Sequence, residues 1–142
     1  MRNAANMSME MSTQAQNEAH VVSFHIDADL YVCVNQQGPT YFKVHSALVA
    51  AASPVWRTQI YGGKYNRPAK GKWIIDMNND DDSQYGLDIV FSIVHYKFHE
   101  IPTRPLIEEL FGIAKIVSKY QCEHLVTPFM KGWYAPEHAR AL

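Results

Sequence analysis

The chain predicts an α+β domain, mainly helical with a small sheet, and three features carry that expectation. Val22, Phe24 and Ile26 alternate with Ser23 and His25, the period of a half-buried strand. Leu87, Val90, Phe91 and Val94 form one apolar stripe, and Ile89, Ile93 and Tyr96 form a second; a helix apolar on two sides is enclosed, so this is the expected central helix. The chain has 142 residues, 47% apolar and 19% charged, which is enough for one cored domain and excludes a largely disordered chain.

Residues 1–19 are polar and aperiodic and read as a disordered tail. The domain spans 20–134, and 135–142 form a short C-terminal tail. A strand over His20–Ile26 precedes the more thoroughly apolar strand Leu30–Val34. Gln36-Gln37-Gly38-Pro39 then turns the chain into a third strand, Thr40–Val44.

A helix opens near His45 and runs through the Ala-rich segment Ala47–Ala52, whose small side chains permit close approach. Ser53-Pro54 restarts the chain as a second helix, with Ser53 as its cap and Pro54 at its first position. Val55, Trp56 and Ile60 line that helix and Gly62-Gly63 end it. Trp73–Met77 is a short strand after the polar loop Lys64–Lys72. Following the central helix, Leu106, Leu110, Ile113, Ala114 and Val117 mark a long amphipathic helix, and Leu125, Val126, Phe129, Met130 and Trp133 a last one. Trp56, Phe91 and Trp133 are expected in the core.

The net charge of −1 provides no field to attract nucleic acid or an anionic membrane. The densest basic group, Lys64, Arg67, Lys70 and Lys72, reads as a solvated loop. Two cysteines, Cys33 and Cys122, are too few for a secreted disulfide framework, and Cys33 reads as a buried strand thiol. An intracellular compartment, cytoplasmic or nuclear, is expected, with no signal peptide and no membrane span.

Chemistry-bearing patterns are weak. Asn78–Ser83 invites a calcium reading, but no Gly stands at the sixth position and no Glu at the twelfth. Capping of the next helix by Asp82 or Ser83 is the better account. His95 and His99 lie four apart, yet a zinc site needs further ligands, so a metal-dependent hydrolase is the weaker alternative. His45-Ser46 opens a helix, where the imidazole can satisfy nearby backbone groups. No nucleophile elbow or phosphate loop is present, and no buried or paired titratable group is evident to tune a pKa. No enzyme activity, cofactor or metal is expected.

Asp29 before the apolar strand, the run Phe42-Lys43-Val44-His45-Ser46-Ala47-Leu48, Ser53-Pro54-Val55-Trp56, Val94-His95 and Lys119-Tyr120-Gln121-Cys122 together resemble a BTB/POZ domain, with spacing similar to that of fungal proteins. The resemblance implies a cluster of helices capped at one end by a small sheet. It gives Asp29, His45, Ser53, Trp56 and His95 structural roles.

The resemblance also implies a module that binds proteins and pairs with itself through its first helix and N-terminal strand, here Val22, Phe24, Ile26 and Leu48. A homodimerising scaffold holding unidentified proteins is the expected function. The alternative is a substrate adaptor for a cullin-type ubiquitin ligase, presenting Tyr61, Tyr65, Asn66 and Arg67. Two departures weigh on the carry-over. Ser46 stands where several transcription-factor members have a basic residue, which leaves Asp29 to cap backbone or pair with a base such as Lys43. Arg67 stands where a cullin adaptor has Glu, and a reversed charge opposes that interface. The chain shows no zinc-finger array, kelch repeat or other appended effector module.

Overall fold

Alternation shapes the sheet. In the computed structural model, which describes residues 20–34, 40–76 and 82–135, strands β1 (His20–Ser23), β2 (Leu30–Val34), β3 (Thr40–Val44) and β4 (Trp73–Asp76) lie in the order β1-β3-β2-β4. β2 and β3 are antiparallel, whereas β1 runs parallel to β3 and β4 parallel to β2. Leu30, Val32, Val34, Phe42, Val44, Trp73 and Ile75 face inward, and Tyr31, Cys33, Tyr41, Lys43 and Ile74 alternate onto the outer face.

The expected alternation through Ile26 fails at its end. Phe24 still pairs through its N–H with the Lys43 carbonyl (2.9 Å), but a turn over His25–Ala28 then redirects the chain. Asp27 N–H donates to His25 Nδ1 and Ala28 N–H to the His25 carbonyl. Phe24 thereby faces inward and Ile26 outward. Cys33 also departs from its expected burial: it stands half-buried on the outer face, while Cys122 is the enclosed thiol.

Among the described residues five helices share one hydrophobic core with the inner face of the sheet: α1 (Ser46–Ala52), α2 (Pro54–Tyr61), α3 (Gln84–Val94), α4 (Ile107–Lys119) and α5 (Thr127–Trp133). Ser53 caps α2 by accepting from Trp56 N–H (3.1 Å), as its sequence position predicts. Of the two candidate caps of α3, Ser83 is the one used, accepting from Gly86 N–H (3.0 Å). Glu109 closes the start of α4 by accepting from Leu106 N–H (2.7 Å). The turn at 36–39, the acidic run at 78–81 and the tails at 1–19 and 136–142 lie outside the described residues.

α3 is the enclosed helix that its two stripes predict. Phe91 is fully buried and its ring meets those of Phe24, Phe42 and Trp56, with centroids 5.7, 5.7 and 5.1 Å away. Trp56 and Trp133 are likewise core residues. α3 and α4 touch backbone to backbone: a Cβ added to Gly86 would stand 2.6 Å from the Gly112 carbonyl oxygen. Side-chain absence at Gly86 therefore permits the approach of the two longest helices.

Candidate functional site

β1 is an outermost strand, and no further strand among the described residues lies beyond it. The four residues expected at a self-association surface sit in different places. Phe24 belongs to the protomer's own core, wedged edge-on between Phe42 and Phe91. Val22 and Leu48 are half-buried against that core. Ile26 is 96% exposed, the most solvent-accessible large apolar side chain described. An aspartate at position 24 would bury an unpaired charge and attack the fold itself, so Phe24 cannot report on association.

Asp29 anchors the start of α1. Its carboxylate accepts from Ser46 N–H (2.8 Å) and from the Ser46 hydroxyl (2.7 Å), and it pairs with Arg67 (3.3 Å). Burial pushes the carboxyl up, but the two Ser46 bonds and the Arg67 charge outweigh it and hold the pKa below its ordinary value. The partner base is thus Arg67 and not Lys43, whose ammonium lies over Tyr31 instead. A distant loop supplies the positive charge that Ser46 does not.

That ion pair also changes the reading of the loop face. Arg67 leans on the Trp73 ring (5.6 Å), and Trp73 Nε1–H donates to the Tyr65 carbonyl (2.8 Å). Tyr65 is half-buried and packs against the core. Asn66 and Tyr61 are exposed, with Arg57 lying over the Tyr61 ring. Two of the four expected partner-facing residues therefore fasten the loop to the sheet.

Three imidazoles meet where the β1–β2 turn, the start of α1 and the end of α3 converge. His25 lies 4.9 Å from His45 and 6.2 Å from His95, ring centre to ring centre. His95 Nδ1 sits 2.7 Å from the Phe91 carbonyl and Nε2 accepts from His45 N–H (3.0 Å). These partners require the neutral tautomer with its proton on Nδ1. Burial drives the His95 pKa down to about 4, the Phe91 bond opposes this, and the nearby His25, His45 and Lys97 add to the fall.

His45 does not use its ring as the sequence suggests. Its backbone N–H makes the bond, and its Nδ1 is buried without a hydrogen-bond partner. His99 stands apart from His95 on the exposed turn Phe98–Glu100 beside Glu100. With both His95 nitrogens engaged, the pair does not form a ligand set. No group of three or more His, Cys, Asp or Glu among the described residues is arranged to hold a metal.

The chain matches no protein-family model and no curated protein. No helix among the described residues is long and apolar enough to cross a membrane.

One buried charged cluster escaped sequence reasoning, which found no buried titratable groups. Asp82 is 2% exposed; it accepts from Lys119 Nζ (2.6 Å) and from the Tyr120 hydroxyl (2.7 Å). Trp56 stacks on Tyr120 (4.6 Å), and the Ser53 hydroxyl donates to the Tyr120 carbonyl. Burial, reinforced by the Asp82 carboxylate, pushes the Tyr120 hydroxyl far above its ordinary pKa, so it remains a proton donor. The cluster joins the starts of α2 and α3 to the end of α4.

Asp82→Asn is expected to lower unfolding free energy by about 2–4 kcal/mol, because it removes the charge at a nearly closed site. Urea melts check this, and a loss below about 1 kcal/mol would remove the cluster's structural role. The Lys119-Tyr120 dipeptide was visible beforehand; nothing in the spacing paired it with Asp82.

Proposed function

We propose that this chain is a BTB/POZ-type protein-interaction module that pairs with a second copy of itself and holds other proteins together. The small sheet packed on one side by helices supports this reading. Further support comes from Asp29 anchoring α1 and from His95 closing α3, the structural places the resemblance gives them. The observation that carries it is the outer edge of β1, followed directly by the solvated Ile26 side chain. An edge strand offers unpaired N–H and C=O groups to another chain, and an apolar side chain beside it gains by being covered.

Ile26→Asp tests the proposal because Ile26 contributes nothing to its own protomer's core. The wild type is expected to sediment as a dimer or a larger assembly at tens of micromolar, on the order of ordinary dissociation constants. The variant is expected to lose the β1 contact, with a fall in sedimenting mass and its helical circular dichroism intact. A wild-type monomer at that concentration, or an unchanged dimer in Ile26→Asp, would remove β1 from the interface.

A substrate-adaptor role has less support, since Arg67 is held by Asp29 and Trp73 where the adaptor pattern presents an acid. Retention of a cullin scaffold by the wild-type protein would overturn the plain-scaffold reading in favour of the adaptor.

A further inference from the structure

α4 packs Leu110, Gly112, Ile113, Ile116 and Val117 into the protein, leaving Ile107, Phe111, Ala114 and Ser118 on its outer side. These four recur at i, i+4, i+7 and i+11, so they form one continuous stripe. The stripe is lopsided. Its first half carries two large apolar side chains in water, Ile107 at 81% exposure and Phe111 at 66%. Its second half carries only a methyl and a hydroxymethyl group, beside an open depression of about 410 Å³ lined by Asp82, Ala114, Lys115, Ser118 and Lys119.

Knobs at one end and a hollow at the other make the helix complementary to itself when reversed. Glu108 and Lys115, both exposed, flank the stripe on the same side, seven residues apart. We propose that the outer face of α4 is a docking surface for a second copy of this chain, with the two α4 helices antiparallel about a two-fold axis. Phe111 of each copy then lies over Ala114 of the other, and Ile107 enters the depression beside Ser118. Glu108 of each copy faces Lys115 of the other, so the ion pair forms twice. Lys115, which lies 5.7 Å over its own Phe111 ring in the isolated chain, is already on the flank that the pairing uses.

Charge order selects this arrangement. A parallel pairing carries Glu108 and Lys115 of the two copies to opposite flanks, where no ion pair forms, and it places Phe111 on Phe111 with both hollows empty. A two-fold contact is isologous, so one surface patch suffices for both partners. The inference does not rest on pairing through β1, which uses other residues. Where both surfaces operate, two different two-fold contacts on one chain build assemblies larger than a dimer.

Cysteine pairs read the geometry directly. Positions 107 and 118 are about 16 Å apart along one helix, at 1.5 Å per residue, which is too far for a bond within one chain. Ile107→Cys with Ser118→Cys is expected to give a covalent dimer on mild oxidation, even in an Ile26→Asp background, and neither single variant is expected to do so. Glu108→Lys and Lys115→Glu, each alone, are expected to weaken association about tenfold, and the double exchange to restore it. All four positions are exposed, so thermal melts should stay close to wild type and separate lost docking from lost folding. Cross-linking by either single cysteine variant as efficient as by the pair would overturn the antiparallel arrangement. An uncross-linked double-cysteine variant at about 100 μM, well above ordinary weak dissociation constants, would overturn self-docking and leave the stripe for an amphipathic helix of another protein.

Discussion

Phe91→Ala is expected to yield insoluble or largely unfolded protein. Truncating a buried aromatic costs about 3–5 kcal/mol through lost burial and the cavity left behind, against a total domain stability of about 5–15 kcal/mol. The environment of this ring favours the upper part of that range. Phe24, Phe42, Trp56 and His95 all meet it, so the cavity would open where β1, the sheet, α2 and the end of α3 converge. Four aromatic neighbours cannot all relax into one hole without leaving their rotamers. Circular dichroism and thermal melts of the variant check this. A melting temperature within a few degrees of wild type, the shift about 1 kcal/mol produces, would show that the ring is not at the centre of the core.

Acidification below neutrality is expected to destabilise the wild-type protein through His95. The His95 pKa lies at about 4 in the folded chain and at 6.5 when unconstrained, so the unfolded state binds its proton first as pH falls. Stability from this group is complete above pH 6.5, declines between 6.5 and 4, and changes no further below 4. The amount is about 3 kcal/mol, from 1.36 kcal/mol per pKa unit. The cause is structural: a proton on Nε2 would confront the His45 N–H that now donates to it. His25, His45 and Lys97 face the same ring and oppose its charge. Asp88 acts in the other direction, since burial raises its pKa and folding then favours its proton. Melting temperature followed from pH 7.5 to 4 checks the slope, and nuclear magnetic resonance of the His95 ring assigns it. A flat profile, or a His95 resonance titrating near 6.5, would show that the ring is solvated.

The legible part of the fold came from periodicity and punctuation. Two stripes on one segment identified α3 as enclosed, because no other arrangement removes both from water. Ser53-Pro54 marked the start of α2 through chemistry confined to four residues, and Ser53 does cap it. The end of β1 was read three residues too far. Alternation describes which way a side chain points in an extended chain, and the bond from Asp27 to His25 that ends the strand leaves no trace in that pattern.

The candidate sites divide in the same way. The resemblance implied a partner for Asp29 and a helix-closing place for His95, and alternation gave the apolar character of Val22, Phe24 and Ile26. Which side chains meet was not. Arg67 reaches Asp29 across 38 positions and Lys119 reaches Asp82 across 37. Such ion pairs depend on where loops and helix ends come to lie once the core has closed. The amino-acid order by itself determined the α+β class, the enclosed helix and the capping of α2, since these follow from local hydrogen bonding and from the burial of a periodic face. Only the tertiary structure decided that Phe24 is core while Ile26 is surface, that three histidines share one junction, and that α4 carries knobs and a hollow on one exposed stripe. Burial is a property of what packs alongside a residue, and a single strand or helix does not contain that information.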